Sequence, residues 1–121
     1  MKNRVLVVDE SAFIRKVIGD IFQRANYEIC GEASTVTEAV DLYKESKPSL
    51  VTLGMVMTDM NGLDGIRAIK RVDEEARIVI VSSLGRTALI DAALKLGARE
   101  FIVKPFRPSR ILEAAKRATK G

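Results

Sequence analysis

Several short apolar runs end in residues able to handle a charged oxygen. Val5-Leu6-Val7-Val8 leads into Asp9-Glu10, Ile78-Val79-Ile80-Val81 into Ser82, and Phe101-Ile102-Val103 into Lys104-Pro105. Another run, Leu50 to Leu53, leads into Gly54, which carries no side chain at all. Adjacent carboxylates suit Mg²⁺, because hard cations take oxygen ligands and tolerate retained waters. A hydroxyl and an ammonium suit the equatorial oxygens of a phosphoryl group. Singly, each residue has an ordinary explanation, since acids cap helices and lysines end strands. Their recurrence at the ends of four runs is what makes them a candidate site.

The elements that must position these groups are legible from periodicity. Val5-Leu6-Val7-Val8 reads as a strand covered on both faces, and Leu50–Leu53, Ile78–Val81 and Phe101–Val103 read as further strands. Ser11 is placed as an N-cap, followed by Phe13, Ile14, Val17, Ile18, Ile21 and Phe22 as one apolar helix face that Asn26 ends. A second strand spans Glu28 to Ala33, and a second helix carrying Val36, Ala39, Val40 and Tyr43 stops before Lys47-Pro48. A polar loop from Gly54 to Gly62 precedes a helix through Ile66 and Ile69. A fourth helix, through Leu89 to Leu96, ends at Gly97, and a last one runs from about Pro108 to Ala118. Strands alternating with helices predict a single α/β domain over residues 1–121, with a doubly wound five-stranded parallel sheet. The flavodoxin-like order 2-1-3-4-5 leads, and a Rossmann order is its rival. Either gathers ligands at the carboxyl ends of the strands, where the candidate residues stand.

Composition narrows the function classes. With 121 residues, 47% apolar and 30% charged, the chain has the balance of one globular core. Histidine is absent, which excludes imidazole bases, His metal ligands and phosphohistidine within this chain. The lone Cys30 reads as filler in an apolar run. Met1-Lys2-Asn3-Arg4 passes directly into a strand-like run without the pattern of a signal peptide, and no apolar run could span a bilayer. A cytoplasmic location without membrane association is expected. The net charge of +4, with Arg107, Arg110, Lys116, Arg117 and Lys120 late in the chain, reads as a solvated helix face rather than a nucleic-acid footprint. No Gly-x-Gly loop follows the first strand, and the charge of Asp9-Glu10 would repel a nucleotide or flavin phosphate. No organic cofactor is expected.

Taken together, several motifs resemble the CheY-type receiver domains of response regulators, from end to end. They are Val7-Val8-Asp9-Glu10, Met57-Thr58-Asp59-Met60-Asn61-Gly62, Val81-Ser82-Ser83, Gly97-Ala98 and Phe101-Ile102-Val103-Lys104-Pro105-Phe106. The resemblance implies a two-component phosphorelay domain in which Asp9 and Glu10 hold Mg²⁺ and Ser82 contacts the phosphoryl group. Lys104 pairs with the acceptor carboxylate, Phe101 joins Ser82 as a switch by turning inward, and Lys104-Pro105 is usually cis. It also implies protein partners, a histidine kinase or a downstream effector. They would dock on a face of the fourth helix, fifth strand and fifth helix that includes Phe101, Phe106, Arg107 and Arg110. A monomer, or a weak dimer through that face, is expected.

The match breaks where it matters most. Aligning on Met57 and Asn61-Gly62 puts Gly54 where the family has its acceptor aspartate, so no nucleophile is offered there and no enzymatic turnover is expected. Glu10 is one methylene longer than the usual aspartate, and Thr58 replaces a usual proline. Mg²⁺ binding is therefore expected to be weak or lost. The leading reading is a degenerate receiver that works by docking. The alternative is a phospho-accepting receiver whose aspartate was replaced by engineering, or whose phosphoryl group goes to another residue. Asp59 and Asp64 are the nearby carboxylates, read as loop solvation and a helix-dipole charge respectively.

Overall fold

The computed structural model describes residues 3–120, so Met1, Lys2 and Gly121, the ends of the expected domain and the start of the leader reading, lie outside the described residues. Ten elements alternate: β1 (Arg4–Val8), α1 (Ala12–Arg24), β2 (Glu28–Ala33), α2 (Val36–Ser46), β3 (Leu50–Gly54), α3 (Gly62–Val72), β4 (Ile78–Ser82), α4 (Thr87–Lys95), β5 (Glu100–Val103) and α5 (Pro108–Thr119). The strands form one parallel sheet in the order β2-β1-β3-β4-β5, which removes the Rossmann rival. β3 and β4 each run one residue beyond their apolar runs, so Gly54 and Ser82 are paired strand residues rather than loop.

Alternation along β1 divides the interior in two. Val5 and Val7 pack with Ile18 and Phe22 of α1 and Ile111 and Ala115 of α5. Leu6 and Val8 pack with Val36 and Tyr43 of α2, Ile66 and Ile69 of α3 and Ala93 of α4. Both faces of the central strands are therefore covered, which is why Val5–Val8 and Ile78–Val81 are unbroken apolar runs and Leu50–Leu53 is interrupted only by the buried Thr52.

Local signals set the boundaries. Ser11 Oγ accepts from the Ile14 N–H at 3.2 Å, the expected N-cap. Asn26 takes a left-handed conformation just past α1, and Gly97 does so past α4, with φ of 69° and 110°. Cys30 is the unpaired residue of a bulge between the Val5–Ile29 and Leu6–Gly31 pairs, half-buried with its Sγ 3.6 Å from Ser46 Oγ. Phe13 departs from expectation: it is 73% exposed, because the buried stripe of α1 begins at Ile14 and Ile18 and Phe13 lies off it. Among the described residues, no helix is long and apolar enough to cross a membrane.

Candidate functional site

The carboxyl ends of β1, β3, β4 and β5 do converge. Asp9, Glu10, Gly54, Ser82 and Lys104 line one cavity of about 150 Å³, together with Ser11, Met55, Val56, Val81 and Ser83. Asp9 is buried, and its two oxygens are both committed. Oδ1 accepts from the Ser11 N–H at 2.9 Å, and Oδ2 pairs with Lys104 Nζ at 3.2 Å. Arg15 Nη1 also donates to the Asp9 carbonyl at 2.7 Å and fixes the turn from below, while its Nε meets Glu32 at 3.2 Å. Nothing in the spacing of the sequence marked Arg15 for that task. Glu10 is exposed at the rim, and the buried Ser82 accepts from the Leu84 N–H at 3.0 Å.

Gly54 faces this cavity across the Asp9 carboxylate. A Cβ there would stand 3.1 Å from Asp9 Oδ2 and 3.3 Å from Met57 Sδ, so a side chain would enter space that those two groups now crowd. As a Mg²⁺ donor set, the cleft offers a buried carboxylate already bound to a lysine and a surface glutamate. Among the described residues, no three acidic, thiol or imidazole side chains come together to hold a metal ion.

Neither Asp59 nor Asp64 lines the cavity. Asp59 accepts from the Val36 and Thr37 N–H groups at 3.0 and 2.9 Å and from Thr37 Oγ1 at 2.8 Å. It is therefore a cap for the first turn of α2 supplied from the β3–α3 loop, which corrects its reading as mere loop solvation. Burial opposes its ionisation, but the hydrogen bonds from Val36 and Thr37 prevail and hold its carboxyl below the usual aspartate value. Asp64 sits in the first turn of α3 and pairs with Arg67 at 2.8 Å, as its helix-dipole reading implies.

The Asp59 contact gives a direct expectation. Removing a carboxylate cap in Asp59→Ala costs about 1 kcal/mol at neutral pH. Because the folded-state value is depressed, that contribution is complete above the ordinary 3.8 and vanishes as pH falls through the folded value. Urea midpoints of the two proteins should therefore differ at pH 7 and converge in strong acid. Equal midpoints at pH 7 would remove the capping role.

Two residues assigned to a docking face are placed elsewhere. Phe101 is only 8% exposed and packs in the α2–α3–α4 interior, so it offers no surface. Phe106 is half-buried on the α1–α5 side, lining a cavity of about 440 Å³ with Ile21, Arg24 and Leu112. Phe106 stands two residues before α5 and packs with the α1–α5 cluster, on the other side of the sheet from the layer that holds Phe101. Arg107 is exposed, while Arg110 donates to the Phe101 carbonyl at 3.2 Å and lies 3.6 Å from Glu100. The apolar surface on the α4–β5 side comes instead from Leu94 (44% exposed), which periodicity assigns to the apolar face of α4, and from Val103 (41%) at the end of β5.

Comparison with known proteins agrees with this geometry. The family model of the response regulator receiver domain matches residues 5–116. The chemotaxis protein CheY of Thermotoga maritima is 47% identical over 120 residues, covering 99% of this chain and all of that protein. CheY in the solved CheX–CheY–BeF3–Mg²⁺ complex of Borrelia burgdorferi superposes with a TM-score of 0.91 at 34% identity, over 94% of this chain and 87% of that one. The response regulator domain of Thermotoga maritima CheB gives a TM-score of 0.92 at 32% identity, over 100% and 98% of the two chains. By its fold, by the groups at its strand ends and by these likenesses, the chain belongs to the response regulator receiver domains of two-component signalling.

Proposed function

We propose that this receiver works as a cytoplasmic docking module that no longer accepts a phosphoryl group. The observation carrying the proposal is Gly54 itself, which ends β3 inside the cleft of Asp9, Ser82 and Lys104 where the family places its acceptor aspartate. An acyl phosphate needs a carboxylate oxygen aligned with the donor phosphorus, and a glycine supplies none. The substitutes are engaged elsewhere: Asp59 caps α2, Asp64 pairs with Arg67, and Asp9 is held by Lys104 and Ser11. The same commitments make Mg²⁺ binding weak, since octahedral coordination needs free, well-placed oxygens. Ser82 and Phe101 stand at the positions the family uses as its switch, and both are buried. Output then rests on contact with a protein partner, a histidine kinase or an effector, with Leu94, Val103 and Arg107 available on the α4–β5–α5 side.

Incubation with acetyl phosphate and Mg²⁺, followed by intact-mass measurement, tests this directly. The native chain should gain no phosphoryl group, while Gly54→Asp should gain one. A stable phosphoryl adduct on the native chain would overturn the proposal.

A further inference from the structure

Beside the cleft, the surface continues as an apolar trough. Met55 and Val56 line both the cleft and a neighbouring cavity of about 300 Å³, which Leu63, Leu84 and Leu89 help to form. Those three leucines also line a further cavity of about 490 Å³ that ends at Arg86, Ala88 and Ala92. The hollows are thus one groove running between the starts of α3 and α4. Val56 is 58% exposed and Leu84 42%, although both are large and apolar. The groove has a firm wall, because the Val56–Asn61 bridge closes the β3–α3 loop and Asn61 Oδ1 caps α3 through the Asp64 N–H at 2.9 Å.

We infer that this groove receives an apolar segment of a partner protein that ends in carboxylates. The inference rests on the docking reading above and goes further by assigning a second surface, apart from Leu94, Val103 and Arg107, and the chemistry of its occupant. Burial of Val56 and Leu84 with the flanking leucines supplies the attraction, as apolar surface leaves water. Charge supplies the direction. Arg86, at the far end, is exposed and makes no ion pair among the described residues, and no acidic residue stands in the first turn of α4. A carboxylate following the apolar side chains would meet the Arg86 guanidinium there. A second copy of the chain is a poorer occupant, because it would bring another Arg86 and a net charge of +4 to the same contact.

Amide chemical shifts of the labelled full chain test the assignment. One titration uses an acetylated peptide of three leucines followed by two glutamates, and another its counterpart ending in two lysines. The acidic peptide should shift the amides of Val56, Leu63, Leu84 and Leu89 and bind about tenfold tighter than the basic one. Arg86→Glu should reverse that preference, and Leu84→Glu should abolish both. Both residues are exposed, and unchanged shifts across the sheet verify that the variants fold. Equal response to the two peptides, shifts confined to other faces, or groove shifts that grow with chain concentration alone would each overturn the inference. Failure here leaves the acetyl phosphate result intact, and a phosphoryl adduct there leaves this titration intact, so the two readings fall separately.

Discussion

Gly54→Asp should melt about 5–10 °C below the native chain in the presence of a chelator. The new Cβ would stand 3.1 Å from Asp9 Oδ2, and its carboxylate would follow into the same small cleft. Two like charges about 4 Å apart repel by about 4 kcal/mol at an effective dielectric of 20. Sharing Lys104 between them returns part of this, and replacing a flexible glycine returns about 0.4–1 kcal/mol more. A net loss of about 2 kcal/mol remains, the sign being set by repulsion. Gly54→Asn separates charge from crowding, since it fills the same space without ionising, and it should lose less. Mg²⁺ should raise the melting point of the aspartate variant more than that of the native chain. An aspartate variant that melts at or above the native temperature in chelator sinks this account of the cleft.

A second large effect is expected at Gly62→Ala, with the opposite sign to local propensity. Gly62 opens α3, where alanine would ordinarily be favoured over glycine by about 1 kcal/mol. Tertiary packing reverses this. A Cβ at Gly62 would lie 2.8 Å from Met55 Cα and 2.9 Å from the Gly54 carbonyl, backbone atoms that cannot swing aside. The Gly62 N–H also donates to the Met55 carbonyl at 2.6 Å, so the start of α3 is held against the end of β3. Overpacking of this kind costs about 2–3 kcal/mol. Gly31→Ala is the control, because its Cβ would meet only the flexible ends of Leu6 and Leu42, at 3.2 and 3.5 Å. Urea unfolding should give a much lower midpoint for Gly62→Ala than for Gly31→Ala. Equal midpoints would show that α3 can retreat at little expense.

What could be read from the residues alone divides along physical lines. Strands such as Val5–Val8 and Ile78–Val81 are uniform apolar runs, and burial on both faces leaves few other roles for them. Caps with a local partner, such as Ser11 with Ile14, are short-range and were legible for the same reason. The convergence of Asp9, Ser82 and Lys104 follows from the rule that ligands gather at strand ends, which needs only the order of the strands. Asp59 escaped because its partners lie 22 and 23 residues away at the start of α2, and no periodicity encodes that contact. Phe13 and Phe106 were misplaced for a different reason. Helical spacing gives the direction of an apolar stripe but not where its edge falls, and Phe106 lies in the β5–α5 connection, where no periodicity applies.

The divided interior bears on how the cleft would respond to change. Val5 and Val7 belong to one packed layer and Leu6 and Val8 to the other, and Asp9 follows them directly along the chain. A swelling or a void on either side of the sheet therefore bends the same ribbon and arrives at the same carboxylate. Two helical layers on opposite faces of the sheet thus share a mechanical endpoint, and the Asp9–Lys104 distance of 3.2 Å is the gauge on which disturbances from both would register.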